Sequence, residues 1–324
     1  MGNIEAVIKF LTFNSISYEE NVNLKKKTWI HRGGMCRLFI IPINSSQLEN
    51  LVQFLYQHEF KFQLLGHTSN VYILNSTNIP IIVSTMKCNK YEVIDKQIYC
   101  EAGAGVIRLS NDMINQGIRG FEYLTGLPGT IGAAICNNSS CKENSISGLL
   151  ISAEVMLSNG QKVTMTAEDM DFKFRTSVFK EKRIEGTILR ATLRAERDDA
   201  DKLMKIAYEN NEERKRILEG HAKNLGCTVN RCFINGKMPL RYSIPSRIFY
   251  GLLKICRVNE SYRRKLSKNF LCFISGYNSI ARYISNINGI IFVWHDEGAD
   301  KQFPRYLEFM RKVYKTDKVE IEVI

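Results

Sequence analysis

No apolar run in this 324-residue chain reaches the roughly eighteen residues that a membrane span requires, so no transmembrane helix is expected. The opening residues, MGNIEAVIKFLTF, lack a basic leader and include Glu5, which argues against a signal peptide or anchor. Ala6 also breaks the myristoylation pattern. Histidine is scarce, with five residues, and none of the nine cysteines forms a C-x-x-C pair. Cys136/Cys141 and Cys227/Cys232 match metal-ligand spacing only weakly and have no clustered histidines beside them. An odd count of unpaired thiols fits a reduced protein whose cysteines are mostly buried, and a soluble, cytoplasmic setting is expected. There is no internal repeat and no low-complexity segment.

An arginine-rich tract is also missing, although the formal net charge is +12. Nucleic acid is therefore not expected as a partner. The local basic excess lies between Arg241 and Lys268, where Glu260 is the only acid. Two readings of it stay open, a phosphorylated small substrate or cofactor and a plain solvated basic face. The 44% hydrophobic and 24% charged content is ordinary for a soluble globular protein, and the length suits two domains.

The first half alternates strand and helix signals. RLFIIPI (37–43) reads as a strand, and Ser46 to Glu49 reads as a capping box opening a helix with Leu48, Leu51, Val52 and Leu55 on one face. FQLLG, VYIL, IPIIVST and KQIYCEAGAG read as further strands. Val106, Leu109, Met113 and Ile114 mark a second helix, closed by Gly117. SAEVMLSNGQKVTMT predicts a hairpin turning at Asn159-Gly160 in a type I′ turn. TILRATLRA (187–195) alternates as a strand should, and a long charged helix follows it. Beyond about residue 225 the pattern is harder to read; GIIFVW and KVEIEVI suggest strands and FPRYLEFMRKVY a helix.

Three glycine-bearing turns follow strands in the first domain: LLGHTSN, EAGAG and GLPGTIGAA. None is the dinucleotide fingerprint G-x-G-x-x-G, and no G-x-x-x-x-G-K-[ST] phosphate loop occurs, so neither a Rossmann nor a P-loop site is expected. Backbone N–H groups in such turns still cradle pyrophosphates. Taken singly each is a turn; three within about seventy residues point to a large cofactor.

These residues carry a resemblance. NVNLKKKTW…GG (21–34), LLGHTSNVYIL, EAGAGVIRLS, GFEYLTGLPGTIGAAICNN, AEDMDFKFRTSVFK and the terminal VEIEVI stand in the order found in UDP-N-acetylenolpyruvoylglucosamine reductases, also called UDP-N-acetylmuramate dehydrogenases. The resemblance spans nearly the whole chain and is strongest over 101–179. It implies an α+β fold: an FAD-binding PCMH-type domain over 1–197, in two α+β subdomains of about 1–65 and 66–197, then a smaller α+β substrate-binding domain over 198–324. It also implies FAD as cofactor, NADPH as co-substrate and a small-molecule nucleotide sugar as substrate. Hydride passes by way of the flavin to the β-carbon of an enolpyruvyl ether, and a proton goes to the α-carbon.

On the same grounds, the flavin nucleotide is expected against Gly66, His67, Thr68, Ser69, Asn70, Gly103, Gly105, Gly126, Pro128, Gly129, Thr130, Gly132, Ala133 and Asn138. His67 suits a phosphate, and a Gly-His pair also carries covalent flavin in a related superfamily. Arg175 in FKFRTS takes the place of the carboxylate-facing arginine, and Glu322 matches the second glutamate of the family's ending, with Glu320 as the register alternative. Where the family has a serine proton donor, the chain has Cys227, whose thiol, with a reference pKa of about 8.5, is acidic enough to protonate an enolate. A buried structural thiol is the alternative. The family's Lys and Pro of that motif are replaced by Asn230 and Cys232, and its glycine-rich flavin loop by Asn138 to Glu143. These departures leave room for a different sugar in surface-polysaccharide synthesis, for a flavin oxidase or dehydrogenase of a sugar alcohol, or for a non-catalytic flavin-binding protein.

Overall fold

Val7 and Leu11 lie one turn apart and form the buried edge of the first helix, α1 (Ile4–Phe13), in the computed structural model, which describes residues 4–142, 144–218, 223–229, 238–316 and 318–324. Strands β1 (Ser17–Asn23) and β2 (Met35–Ile41) pair antiparallel, with Val22 facing Cys36. Helix α2 (Ser45–Gln57) buries Leu48, Leu51, Val52 and Leu55, the stripe legible in the sequence. Its cap differs from the expected box. Asn44, in extended conformation, accepts from Gln47 N at 2.9 Å, and Gln47 Oε1 accepts from Ile43 N at 3.1 Å. Asn44 starts the helix two residues before Ser46, which leaves Glu49 to pair with Lys162 at 2.7 Å instead of capping.

Strand β3 (Gln63–Leu65) follows, then the two-residue β4 (Val71–Tyr72) and β5 (Asn78–Ser84). The first sheet has the order β1-β2-β5-β3, parallel across β2/β5 and β5/β3. The stripes of α1 and α2 pack with Leu38, Ile40, Ile81 and Val83 in one core.

A second sheet is built from β6 (Tyr91–Ile94), β7 (Gln97–Glu101) and, after helices α3 (Val106–Asn115) and α4 (Ile131–Cys136) and the small β8 (Ser140–Cys141)/β9 (Asn144–Ser145) hairpin, from β10 (Leu150–Leu157), β11 (Lys162–Thr166) and β12 (Gly186–Arg194). Its order is β11-β10-β12-β7-β6, antiparallel throughout. Leu109, Met113, Phe121, Ile131 and Ile135 pack with Val155 and Leu193 of this sheet. Gly117 has φ +69° just beyond α3, the left-handed residue that ends the helix. The β10/β11 turn is not type I′: Gly160 (φ +80°) has a positive φ and Asn159 does not. Gly160 N donates to Leu157 O and Leu157 N to Gln161 O, both at 2.9 Å, so the turn closes one residue later with glycine in the left-handed position.

Helix α5 (Ala200–Ile217) leads from one compact unit, Met1–Leu24, Gly34–Thr68 and Asn78–Glu212, into a second, Lys25–Gly33, Ser69–Thr77 and Glu213–Ile324. The second unit contains α6 (Leu240–Ile255), α7 (Glu260–Ser275), α8 (Gly298–Tyr314) and β13 (Glu322–Val323), which pairs parallel with β4. Its core is aromatic, built around Tyr72, Phe292, Trp294, Phe303 and Tyr306. GIIFVW is not a regular strand. Ser285 N donates to Ile291 O, Thr228 N to Ile290 O and Val293 N to Tyr283 O, so different neighbours take successive residues and only isolated bridges form. KVEIEVI contributes only the two residues of β13 for the same reason. Among the described residues no helix is long and apolar enough to cross a membrane.

Candidate functional site

In the first unit the three glycine turns meet. β3 ends at Leu65, whose carbonyl accepts from Thr85 N at 2.9 Å, and the chain then turns at Gly66. A Cβ on Gly66 would stand 2.7 Å from Thr130 Oγ1, so only glycine lets these two turns approach so closely. Thr68 is buried with φ +54°, a left-handed conformation uncommon for a β-branched residue. Past β7, Gly103 N donates to Cys88 O at 2.9 Å, and a Cβ on Gly103 would lie 1.8 Å from Thr85 O. Val106 N then donates to Gly129 O, Ile131 N to Ala104 O and Gly132 N to Ala102 O, at 2.8 to 3.0 Å. Leu-Pro-Gly-Thr is thus bonded across to Glu-Ala-Gly-Ala-Gly. Gly126 and Pro128 lie in the tight turns before this junction, where Leu127 N donates to Leu124 O at 3.0 Å. Thr130 caps α4 by accepting from Ala133 N.

Gly105 differs from the other glycines. A Cβ there would meet only the His67 ring, Cε1 at 3.7 Å and Nε2 at 4.0 Å, and Gly105 lines a cleft of about 490 Å³ with His67, Gly103, Met86, Asn89, Ile107, Arg108, Asn111 and Asp112. Burial lowers the His67 pKa, so its imidazole is neutral at pH 7 and serves as a hydrogen-bonding group rather than a charge. α3 starts at this cleft, and its cap, Gly105, makes no side-chain bond, so the helix start favours an anion. The Arg108 guanidinium carbon lies 5.7 Å from the Tyr91 ring centre. The Tyr91 hydroxyl donates to Asp112, and burial, with that carboxylate adding to it, pushes the phenol up to about 12. A cradle of main chain, an uncapped helix start, Arg108 and the apolar Met86 and Ile107 fit a flavin nucleotide. Met86, Asn89, Arg108, Asn111 and Asp112 are absent from the sequence reading, although the i, i+4 pair Arg108/Asp112 is a signal that could have found the α3 face.

Arg175 belongs to the same unit. It sits with φ +57° in a turn closed by reciprocal bonds between Lys173 and Thr176, each 3.2 Å. That turn is tied to the end of α4. Asn138 Nδ2 donates to Lys173 O at 2.9 Å, Ser177 Oγ to Cys136 O at 2.6 Å, and Lys180 Nζ to Asn137 Oδ1. The buried Asn138 therefore holds the arginine turn against the helix that Thr130 begins. Glu101, also buried, binds Ser45 N at 2.6 Å and Lys90 N at 2.9 Å through its two carboxylate oxygens, fixing the strand that leads into Gly103. Neither tether shows in a motif, because each joins residues far apart in sequence.

The second unit gathers the other candidates. Ser69 and Asn70 precede β4; Glu322 N donates to Asn70 O at 2.9 Å, and Asn70 Nδ2 donates to Glu320 O at 3.3 Å. Glu320 N donates to Thr228 O at 2.8 Å, which sets the terminal strand beside the Cys227 segment. Asn288 Nδ2 approaches Cys227 Sγ at 4.0 Å. Cys227 and Glu320 are half-buried and Glu322 is exposed. Asn230 and Cys232 lie outside the described residues, as does Glu143. Burial pushes the Cys36 and Cys272 thiols up to about 11 and those of Cys88 and Cys100 to about 12. No group of three or more His, Cys, Asp or Glu is placed to hold a metal among the described residues.

Residues 36–166 match the protein family described as FAD binding domain. UDP-N-acetylenolpyruvoylglucosamine reductase of Bacillus pumilus is 29% identical over 197 residues, 60% of this chain and 65% of that protein. The enzyme of the same name from Borrelia garinii is 30% identical over 202 residues, covering 61% and 64%. The chain thus matches slightly less than two thirds of the length of these relatives. The crystal structure of UDP-N-acetylenolpyruvylglucosamine reductase from Thermus caldophilus shares the fold at a TM-score of 0.67 and 18% identity, over 95% of this chain and 99% of that one. The chain resembles the UDP-N-acetylenolpyruvoylglucosamine reductase family and carries its FAD binding domain at residues 36–166.

Proposed function

We propose that the protein is an FAD-dependent oxidoreductase that reduces an enolpyruvyl ether on a nucleotide sugar, of the UDP-GlcNAc-enolpyruvate to UDP-MurNAc type. NADPH is the hydride source, and the setting is cytoplasmic peptidoglycan or cell-surface polysaccharide synthesis. The observation that carries this reading is the meeting of three glycine turns inside an FAD binding domain, with the Arg175 turn bonded to the helix that leaves them. FAD, when bound, supplies hydride to the β-carbon of the enolpyruvyl group.

The remaining work falls to side chains. Arg175 binds the substrate carboxylate and stabilises the negative charge that builds up next to it. Cys227 gives its thiol proton to the α-carbon: the S–H bond breaks, a C–H bond forms, and a thiolate is left to be reprotonated from water. Glu322, with the terminal strand behind it, polarises the intermediate. A lactyl ether on another sugar is the second reading. Its support is the segment after Asn138, where a β8/β9 hairpin with Asn138 bonded to Lys173 stands in place of the family's glycine-bearing flavin loop.

Anaerobic mixing of the reduced enzyme with UDP-GlcNAc-enolpyruvate tests the first reading, and flavin absorbance should return as the lactyl ether forms. Reoxidation only by a different enolpyruvyl sugar would move the assignment to the second. Arg175→Ala should lower kcat/KM by about 10² to 10³. Cys227→Ala should slow protonation but leave flavin reduction by NADPH normal. Unchanged turnover in Arg175→Ala or Glu322→Gln would remove those residues from the site.

A further inference from the structure

Helices α6 and α7, residues 240–275, carry eight Lys and Arg against one acid, Glu260. The helices meet through the stacked rings of Phe249 and Phe270, 4.3 Å between centres, and through Arg263 over the Tyr250 ring at 5.0 Å. Leu240, Ile244, Ile248, Leu252 and Ile255 recur every three or four residues, so they share one face of α6. That face lies on the side of α6 away from Phe249. It is open, with these five residues 50 to 78% exposed. Single exposed leucines are ordinary, whereas a continuous stripe running the length of a helix is not.

The rim of the stripe is cationic. Arg247 and Lys254 fall along one edge of it, and both are exposed. Arg247 also lines a cleft of about 510 Å³ with Arg264, Lys268, Ser246 and Ser267. The hydroxyl oxygens of Ser246 and Ser267 are buried and make no hydrogen bond among the described residues. Arg264 also pairs with Glu260, and Lys268 Nζ donates to Ile284 O and Asn286 Oδ1, each at 2.8 Å; with Arg247 and the two hydroxyls the cluster presents further donors that match the oxygens of a phosphate group. A second copy of the chain is a poor occupant of this face, because pairing would bring two strongly cationic helix hairpins together. An apolar stripe rimmed by Arg and Lys, on a helix too polar to span, matches an anionic bilayer surface.

We propose that α6 is an interfacial helix that lays the second unit on an anionic membrane surface, with its apolar stripe in the headgroup and acyl boundary and the Arg247, Arg264 and Lys268 cleft on a lipid phosphate. The test is co-sedimentation of the flavin-loaded full chain with phosphatidylcholine vesicles, with and without phosphatidylglycerol. Partition onto the anionic vesicles should exceed that onto neutral ones by at least about tenfold, and should fall steeply as salt shortens the screening length to about 3 Å. Ile248→Glu combined with Leu252→Glu should abolish partition. Both sites are exposed, so unchanged flavin absorbance and circular dichroism will show that this variant folds. Arg247→Glu, a second and independent variant, should weaken binding to anionic vesicles only. No partition of the wild-type chain, equal partition onto neutral vesicles, or binding that survives the double substitution would overturn the proposal. So would a wild-type dimer in sedimentation velocity that Ile248→Glu splits, since a second copy would then cover the face.

Discussion

The two units position their candidate residues by opposite means. In the first, main-chain bonds join the turns at 102–106 and 129–133, the turn at Gly66 packs against the Thr130 side chain, and at Gly66, Gly103 and Gly132 an added side chain would crowd a neighbour. In the second, Asn70, Thr228 and Glu320 hang on a framework of interlocked rings. Tyr72, Phe292, Trp294, Phe303 and Tyr306 make ring contacts of 4.8 to 6.3 Å, and Phe292 and Trp294 are fully buried. A main-chain site tolerates loss of side-chain volume and fails on its gain. A ring-built site does the reverse. The contrast assigns each unit its own sensitive substitutions.

The largest effect expected is at Gly103. Gly103→Ala puts a methyl 1.8 Å from Thr85 O and 2.6 Å from Cys88 O, both main-chain atoms that cannot step aside cheaply. A loss of at least about 3 kcal/mol, or failure to fold, should appear in urea denaturation. Gly105→Ala, two residues on, has room and should stay within about 1 kcal/mol while weakening FAD. Equal losses in the two variants would break the distinction between packing glycines and the cleft-facing one.

Next in size is a charge test in the second unit. Arg32 is buried, and its Nε lies 3.4 Å from Asp300 Oδ2; the Tyr72 hydroxyl donates to Asp300 Oδ1 at 2.9 Å. Asp300→Ala strands the guanidinium and should cost about 3 to 5 kcal/mol. Arg32→Met combined with Asp300→Leu removes both charges and should recover most of that loss. If the double variant is no more stable than Asp300→Ala, the pair is not what that corner depends on.

How much was legible follows the same division. The glycine turns were read directly, because their signals are local: Gly after a strand, Pro before Gly, Thr before a small helix. Gly103, Gly105, Thr130 and Asn138 do lie in or beside the linked turns. What each does was not legible. Gly66, Gly103 and Gly132 admit neighbouring protein atoms, whereas Gly105 faces open cleft, and only packing separates these roles. Asn44 took the cap expected of Ser46 because either residue fits the same box, and tertiary packing chose between them. In the second unit an apolar run such as GIIFVW reads equally well as a strand or as a buried irregular segment. It became the latter because its hydrogen bonds go to Thr228, Tyr283 and Ser285, residues from two separate segments.

The smallest effect expected sharpens the comparison by pH. Burial lowers the folded pKa of His67 below its unfolded value of about 6.5. Above that pH neither state carries the proton, and stability does not depend on this group. As pH falls through about 6.5 the unfolded chain takes a proton that the folded chain refuses, so stability drops until pH reaches the folded pKa. His67→Gln should flatten this part of the slope, read as the change in urea midpoint between about pH 7 and pH 5 with and without FAD. Parallel slopes for wild type and variant would mean that His67 is exposed to water and free to charge. The first unit would then be meeting the cofactor's phosphates with a cation at acid pH, and its site would rest on charge as well as on main chain.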